Sequence, residues 1–418
     1  MLETVQRIEP ARLERPSEET VDTIATLSAA SATLGRALKP QTANSLRALV
    51  RIMNSYYSNL IEGNHTLPRD IESALAVIRH SPAHRNETRP AEIERALSDG
   101  PDRDEGRRNL QLEAAAHVRV QEEVDRQALA GVLPEPASQD FVRWLHRAFY
   151  AGAAPELLVA RGSGKTWKMI PGEWRSTSDQ DVAVGRHTPP SSERVPDFMQ
   201  YFAERYRTET MGRSTRIIAV AAAHHRFNYI HPFPDGNGRV SRLMSHALAY
   251  KAEIAAHGLW SVSRGLARGL ESRTEYKRMM DYADTPRQGD LDGRGNLSEK
   301  ALSDFVLWFL KTCVDQVTFM SSLFDLDSLA DRLHSYVARK DNLKPESTRI
   351  LDQVLLRGEL DRGDVASITG LPERSARRVL ADVLATGLLA SDTPKGRLSL
   401  RFPADAAELL FPRLFLET

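Results

Sequence analysis

Within Ile230-His231-Pro232-Phe233-Pro234-Asp235-Gly236-Asn237-Gly238-Arg239-Val240-Ser241-Arg242 stand the residue types that phosphate chemistry needs. Asp-Gly and Asn-Gly are turn dipeptides, and alone they could merely join two elements. A helical pattern follows them, however, rather than a second strand. Glycines beside a helix start let backbone N–H groups converge, and the positive end of the helix dipole makes that nest an anion site. Arg239 and Arg242 lie three apart on one face of the first turns, so both can reach one polyphosphate. Asp235 beside the nest is placed to hold a Mg²⁺ that bridges phosphates. His231, with an ordinary pKa of about 6.5, suits proton removal near neutrality. Base, metal ligand, nest and two arginines within this short stretch read as a phosphoryl- or nucleotidyl-transfer site.

The elements around this stretch read as helices. Apolar residues recur every three or four positions over Thr20 to Leu38, Gln41 to Leu60, Arg69 to Arg79, Leu110 to Leu129, Gln139 to Tyr150, Val195 to Tyr206, Arg216 to Phe227, Val240 to His257 and Leu302 to Leu323. Ile78 to Arg108, with three prolines among many charges, reads as connection and short helix. Lys165 to Pro190 is rich in Pro and Gly and carries the run Val182-Ala183-Val184, which predicts a β-hairpin or extended flap. Beyond Leu343 the pattern is a helix over Glu346 to Leu356, then short helices around Thr369-Gly370-Leu371-Pro372, then strand-like runs at Leu388 to Ser391 and Arg397 to Phe402. That order predicts a winged helix.

With 418 residues, the chain has room for two or three domains of roughly 150 residues and a core that needs no staple. Its 56 basic and 56 acidic residues cancel, so polyanion contact must come from a local patch. The single cysteine, Cys313, excludes a disulfide framework and a cysteine zinc cluster, and its apolar surroundings predict a buried role. No apolar stretch is long enough to span a bilayer, and the charged N-terminus lacks a signal-peptide core, so a cytoplasmic location without membrane contact is expected.

The stretch from His231 to Arg242 resembles the signature of the Fic (Fido) family, His-x-Phe-x-Asp/Glu-Gly-Asn-Gly-Arg-x-x-Arg, at every fixed position. The resemblance implies transfer of AMP from ATP to a Ser, Thr or Tyr hydroxyl of a target protein, or of the enzyme itself. His231 would be the base and Asp235 the Mg²⁺ ligand. Gly236, Asn237, Gly238, Arg239, Val240, Ser241 and Arg242 would form the nucleotide site, with Phe233 anchoring the loop in the core. Pro171-Gly172-Glu173-Trp174-Arg175 through Val182 to Pro190 resembles the family's flap, which docks the target as an added strand. Tyr276 resembles the tyrosine beside the adenine. Ser58-Asn59-Leu60-Ile61-Glu62-Gly63 resembles the family's inhibitory pattern, so Ser58, Glu62 and Gly63 are its expected elements. Asn228 stands where many relatives carry Glu.

The implied fold is mainly α: a Fic-type helical bundle with a β-hairpin flap, plus the winged helix. Residues 1–110 would carry the inhibitory motif, 111–325 the catalytic core, 326–343 a connecting helix and 344–418 a separable winged-helix domain. From Pro345 to Phe402 nine Lys/Arg face eight Asp/Glu, so DNA contact through Arg374, Arg377 and Arg378 and protein docking, including a homodimer, stay open as alternatives. Two rival functions remain with them, a DNA-binding regulator that senses nucleotide and an enzyme that removes AMP.

Other stretches invite a function and fail on spacing. Gly162-Ser163-Gly164-Lys165-Thr166 lacks the leading glycine of a P-loop, since Val159 stands there. In the calcium-like run Asp290 to Leu297, Arg294 takes a ligand position and Ala301 replaces the closing Glu. His224 and His225, adjacent on a helix, point to different faces and read as core or capping residues.

Overall fold

The computed structural model describes residues 3–80, 105–162, 165–183, 187–393 and 395–415. Helices dominate it: α1 (Glu18–Thr33), α2 (Pro40–Ile61), α3 (Pro68–His80), α4 (Glu105–Leu129), α5 (Gln139–Phe149), α6 (Val195–Arg205), α7 (Arg213–Ile230), α8 (Asn237–Lys251), α9 (Val262–Arg268), α10 (Glu275–Ala283), α11 (Glu299–Leu323), α12 (Leu326–Ala338), α13 (Ser347–Arg357), α14 (Val365–Thr369), α15 (Glu373–Ala385) and α16 (Ala404–Leu410). Their starts follow capping chemistry. The hydroxyls of Ser17, Ser138 and Ser298 accept from backbone N–H groups in the first turns of α1, α5 and α11, and Pro40 opens α2.

The centre is α7. Its segment from Ile217 to Phe227 is buried on every side, and Ala219, Ala221, Ala222 and Ala223 let α8 and α11 approach closely. A reversal over residues 231–236 returns the chain as α8, so the signature stretch joins two largely buried helices. α4 and α5 flank α8, and α2 lies across α4 and α9.

Two expectations about this part need correction. α8 stops at Lys251 rather than His257, because Glu253, Ala256 and His257 take left-handed backbone angles that no helix tolerates. The hairpin lies upstream of the expected run. β1 (Val159–Gly162) pairs antiparallel with β2 (Lys165–Lys168), Val159 opposite Lys168. Val182 and Ala183 form no strand, and Val184 falls outside the described residues. Neighbouring Asp181 is instead bound to Ser192 and Arg175, which ties this segment to the body rather than to a strand. Of the P-loop-like stretch, Gly162 pairs with Lys165 in this hairpin, and Ser163 and Gly164 fall outside the described residues. Residues 81–104, most of the expected connection, also lie outside the description.

After Leu343 the chain forms α13, α14, α15 and a minimal hairpin, β3 (Leu389–Ala390) with β4 (Ser399–Leu400), to which Leu360 adds a bridge at Leu398. The strands are shorter than expected. Nor does this part stand apart from the rest. Ser45 Oγ on α2 donates to Leu400 O at 2.6 Å, and the Ala404 N–H donates to Glu72 on α3 at 2.9 Å. Tyr57 Oη and Arg264 Nε both donate to Leu414 O, at 3.0 and 3.3 Å. Deleting residues 344–418 would remove these acceptors from Ser45, Tyr57 and Arg264, at about 1–3 kcal/mol each. The shortened chain is therefore expected to melt on the order of 5–15 °C below the full chain. Calorimetry of both forms checks this, and equal melting of the remaining part would restore the picture of a separable module.

Candidate active site

The reversal between α7 and α8 is held by its own residues. His231 caps α7 with φ 50° and ψ 60°, its N–H bound to Phe227 O. Gly236 begins α8 at φ 78°, where a Cβ would collide with the Tyr150 ring and hydroxyl. Phe233 is fully buried, stacked on His146 with centroids 3.9 Å apart. The Asn237 amide closes the loop, accepting from Phe233 N at 2.9 Å and donating to Phe233 O at 2.8 Å. That corrects one expectation: Asn237's side chain is spent on bracing, and what it can offer a phosphate is its backbone N–H. Asn237, Gly238 and Arg239 open α8, so their N–H groups have no partner within the helix and point outward as an anion site.

Val240 and Ser241 were also expected among the nucleotide residues. Val240 is fully buried in the core, and Ser241 Oγ donates to Gly238 O within its own helix.

Both arginines carry carboxylate partners. Arg242, 1% exposed, donates from Nε to Ser58 Oγ at 2.9 Å and from a terminal nitrogen to Ser58 O at 3.1 Å and Glu62 Oε1 at 2.6 Å. The end of α2 therefore packs on the start of α8. Gly63, at φ 86°, ends the helix there. Gly238 admits the contact, since a Cβ at that position would land on the Glu62 carboxylate. Burial raises the Glu62 pKa, but Arg242 and Arg239 outweigh it and hold the carboxyl below its usual range. Glu62's side chain stays 33% exposed, so solvent reaches the pair from that side only. Arg239 is paired with Glu113 of α4 and lies over the Phe149 ring at 5.3 Å. Burial, with Asp235 and Glu62 nearby, pushes the Glu113 carboxyl up despite Arg239.

His231 is held in one charge state by its surroundings. Burial first, then the Arg175 guanidinium, lowers its pKa to about 4, so the imidazole is neutral at pH 7. Among the described residues its Nδ1 has no hydrogen-bond partner. Asp235 is exposed and accepts from the Gly236 N–H at 2.6 Å. Among the described residues no three His, Cys, Asp or Glu side chains cluster to hold a metal. One exposed carboxylate beside an anion nest fits Mg²⁺ that arrives with phosphates and keeps its waters, not a protein-caged ion.

Tyr276 is a core residue, another correction. Its hydroxyl meets His224 Nε2 at 2.8 Å, and its buried ring is stacked on Trp308, so it offers no open platform for a base. His224 turns its other nitrogen to Ser245, whereas His225 turns to Met280 O and Asp284, in agreement with separate core roles. Cys313 is buried, and burial pushes its thiol pKa up.

Burial also lowers the pKa of His146 to about 4 and of His224 to about 3, and depresses His117 well below 6.5. A depressed imidazole takes up its proton on unfolding, so each destabilises the fold as pH drops below 6.5 toward its folded pKa. The slope approaches about 1.4 kcal/mol per pH unit per group. Melting temperature is expected to fall steadily between pH 6.5 and 4.5, and a flat profile there would contradict these assignments.

Sequence reasoning missed Glu113, His146 and Tyr150, and it gave Arg175 no role of its own. Glu113 sits on an ordinary amphipathic helix 126 positions before Arg239, and nothing local marks the pair.

Residues 136–249 match the Fic/DOC family model. The chain is 27% identical over 185 residues to "Protein adenylyltransferase Fic" of Drosophila grimshawi, covering 43% of this chain and 35% of that protein. It is 37% identical over 81 residues to the protein of the same name from Drosophila willistoni, 19% of this chain and 16% of that one. The chain thus spans about a third or less of the length of the curated relatives it matches. Among solved structures, a Fic family protein from Desulfovibrio desulfuricans G20 aligns at TM-score 0.46 and 18% identity, over 92% of this chain and 97% of that one. A Fic domain containing signaling protein from Bacteroides thetaiotaomicron VPI-5482 aligns at 0.48 and 19%, over 72% and 97%. Among the described residues no helix is long and apolar enough to cross a membrane.

Proposed function

From the premise that residues 136–249 carry a Fic/DOC family domain, we propose that this protein is an adenylyltransferase that moves AMP from ATP to a Ser, Thr or Tyr hydroxyl of a protein. The observation that carries this reading is a neutral imidazole at His231 beside the anion nest that opens α8, with Arg242 at its edge. His231 accepts the hydroxyl proton as the oxygen forms its bond to the α-phosphorus and the bond to pyrophosphate breaks. The departing pyrophosphate takes the electron pair, and the N–H groups of Asn237, Gly238 and Arg239 with the Arg242 guanidinium stabilise its charge. Mg²⁺, when bound at Asp235, supplies charge neutralisation along the phosphates. Glu62 holds Arg242 in the resting state and so represses the reaction, because the guanidinium bound to Ser58 and Glu62 is the one a γ-phosphate needs.

Intact-mass analysis after incubation with ATP and Mg²⁺, and α-labelled ATP with a lysate, test the reading. Covalent label on protein is expected, on the enzyme itself or on a target. A regulator that only senses nucleotide would bind ATP and leave no label. Arg374, Arg377 and Arg378 on the exposed face of α15 give that alternative its basis, although Arg377 is paired with Glu373. An enzyme that removes AMP would instead strip a labelled protein.

A further inference from the structure

Arg175 is fully buried, a costly place for a guanidinium whose only carboxylate partner among the described residues is the half-exposed Asp181. Its nitrogens are nonetheless all hydrogen-bonded, and three of the bonds fall on one object. The backbone N–H donates to Pro232 O at 2.9 Å, Nε to His231 O at 2.7 Å and a terminal nitrogen to Ile230 O at 3.0 Å. Three consecutive carbonyls at the end of α7 therefore accept from one residue. The same guanidinium reaches Pro190 O and Ser192 Oγ in the flap segment. Three positions upstream, the Gly172 N–H donates to His146 Nδ1, whose Nε2 meets Asp235 O at 3.2 Å. The segment from Gly172 to Arg175 is thus stitched to both ends of the catalytic reversal.

Left-handed backbone at a non-glycine residue is unfavourable and persists only where its surroundings impose it. The carbonyls it turns outward at a helix C-terminus also need donors. Arg175 supplies both the restraint and the donors. We propose that Arg175 is a positioning residue for the base: by binding the carbonyls of residues 230–232 it fixes His231 in its left-handed conformation and aims the imidazole at the nest. This rests on the adenylyl-transfer reading above. It also makes the segment that follows the β1–β2 hairpin part of the catalytic geometry rather than only a docking strip.

The test compares Arg175→Lys, Arg175→Gln and Asp181→Asn in the full-length chain carrying Glu62→Gly. Arg175→Lys keeps the charge and loses the planar fork, and Arg175→Gln loses both. Both are expected to lower kcat about a hundredfold, the cost of roughly 1 Å of misplacement, with KM for ATP within about threefold. Asp181→Asn leaves the carbonyl contacts in place and is expected to keep kcat within about threefold of the background. The second readout needs no activity, namely NMR titration of the His231 ring. The charged or titratable groups facing that ring are Arg175, His187 and Glu62. With Glu62 removed in all of these chains, Arg175→Gln should raise the ring's pKa toward 6.5 and Arg175→Lys should hold it low. Unchanged kcat, a loss confined to KM, an unmoved ring titration in Arg175→Gln, or failure of both Arg175 variants to fold would each overturn the positioning role. If the Glu62→Gly chain labels no protein, the adenylyl-transfer reading fails, and the ring titration still decides whether Arg175 governs His231.

Discussion

His231→Ala is expected to abolish AMP transfer while ATP still binds. The imidazole is the neutral group at the reaction centre, and general-base catalysis is worth about a hundredfold to ten-thousandfold. In the proposed reaction binding belongs to other atoms, namely the first N–H groups of α8 and Arg242, none of which the substitution touches. Transfer measured with α-labelled ATP should fall to background, whereas nucleotide affinity by calorimetry stays within a few-fold. Near wild-type transfer by the variant would remove His231 from the mechanism. The same low pKa predicts that wild-type transfer persists to mildly acidic pH, since the base protonates only near 4.

Glu62→Gly is expected to act in the opposite direction. Arg242 is almost wholly enclosed, and three of its contacts come from the end of α2: Ser58 Oγ, Ser58 O and Glu62 Oε1. Removing the carboxylate frees one guanidinium nitrogen for a phosphate and opens the space above Gly238. AMP transfer should rise strongly, on the order of a hundredfold if the repressed nucleotide sits about 1 Å out of line, with fold and ATP affinity little altered. In Glu62→Gly/His231→Ala the gain should vanish, because an open phosphate site cannot replace the base. Equal activity in wild type and Glu62→Gly would reduce Glu62 to a surface ion pair. Arg239 sharpens the comparison, since its partner Glu113 remains in place in all three chains.

What could be read from the sequence follows from where its information is local. Most helices announced themselves through apolar spacing, and the reversal through its glycines, so the stretch from His231 to Arg242 was legible as a unit. The contact between Glu62 and Arg242 was legible only as a pattern, because its 180-residue separation hides the packing of α2 on α8. The side chains that brace the site were not legible. Asn237 looked like a phosphate ligand because an amide in a glycine-rich loop has either use, and only its two bonds to Phe233 decide between them. Tyr276 looked available until Trp308 and His224 enclosed it. The hairpin was misplaced because Val182-Ala183 has strand composition yet forms no strand, whereas β1 and β2 are short runs of mixed polarity that composition does not mark. The C-terminal segment looked independent because its pattern changes at Leu343, and patterns do not report that Leu414 O accepts from Tyr57 and Arg264.

Under the proposed function, the seat of Glu62 on Gly238 and Arg242 limits how repression can be lost through mutation. Those two residues serve the latch and the phosphate site at once. A side chain at position 238 would evict Glu62 and fill the nest in the same stroke, and a substitution of Arg242 would release the carboxylate by discarding the guanidinium that ATP requires. Single changes that raise activity must therefore fall on the α2 side of the contact, at Ser58, at Glu62 or where α2 is anchored. In a random library selected for activity, gains should gather on that helix, while the nest itself tolerates almost nothing.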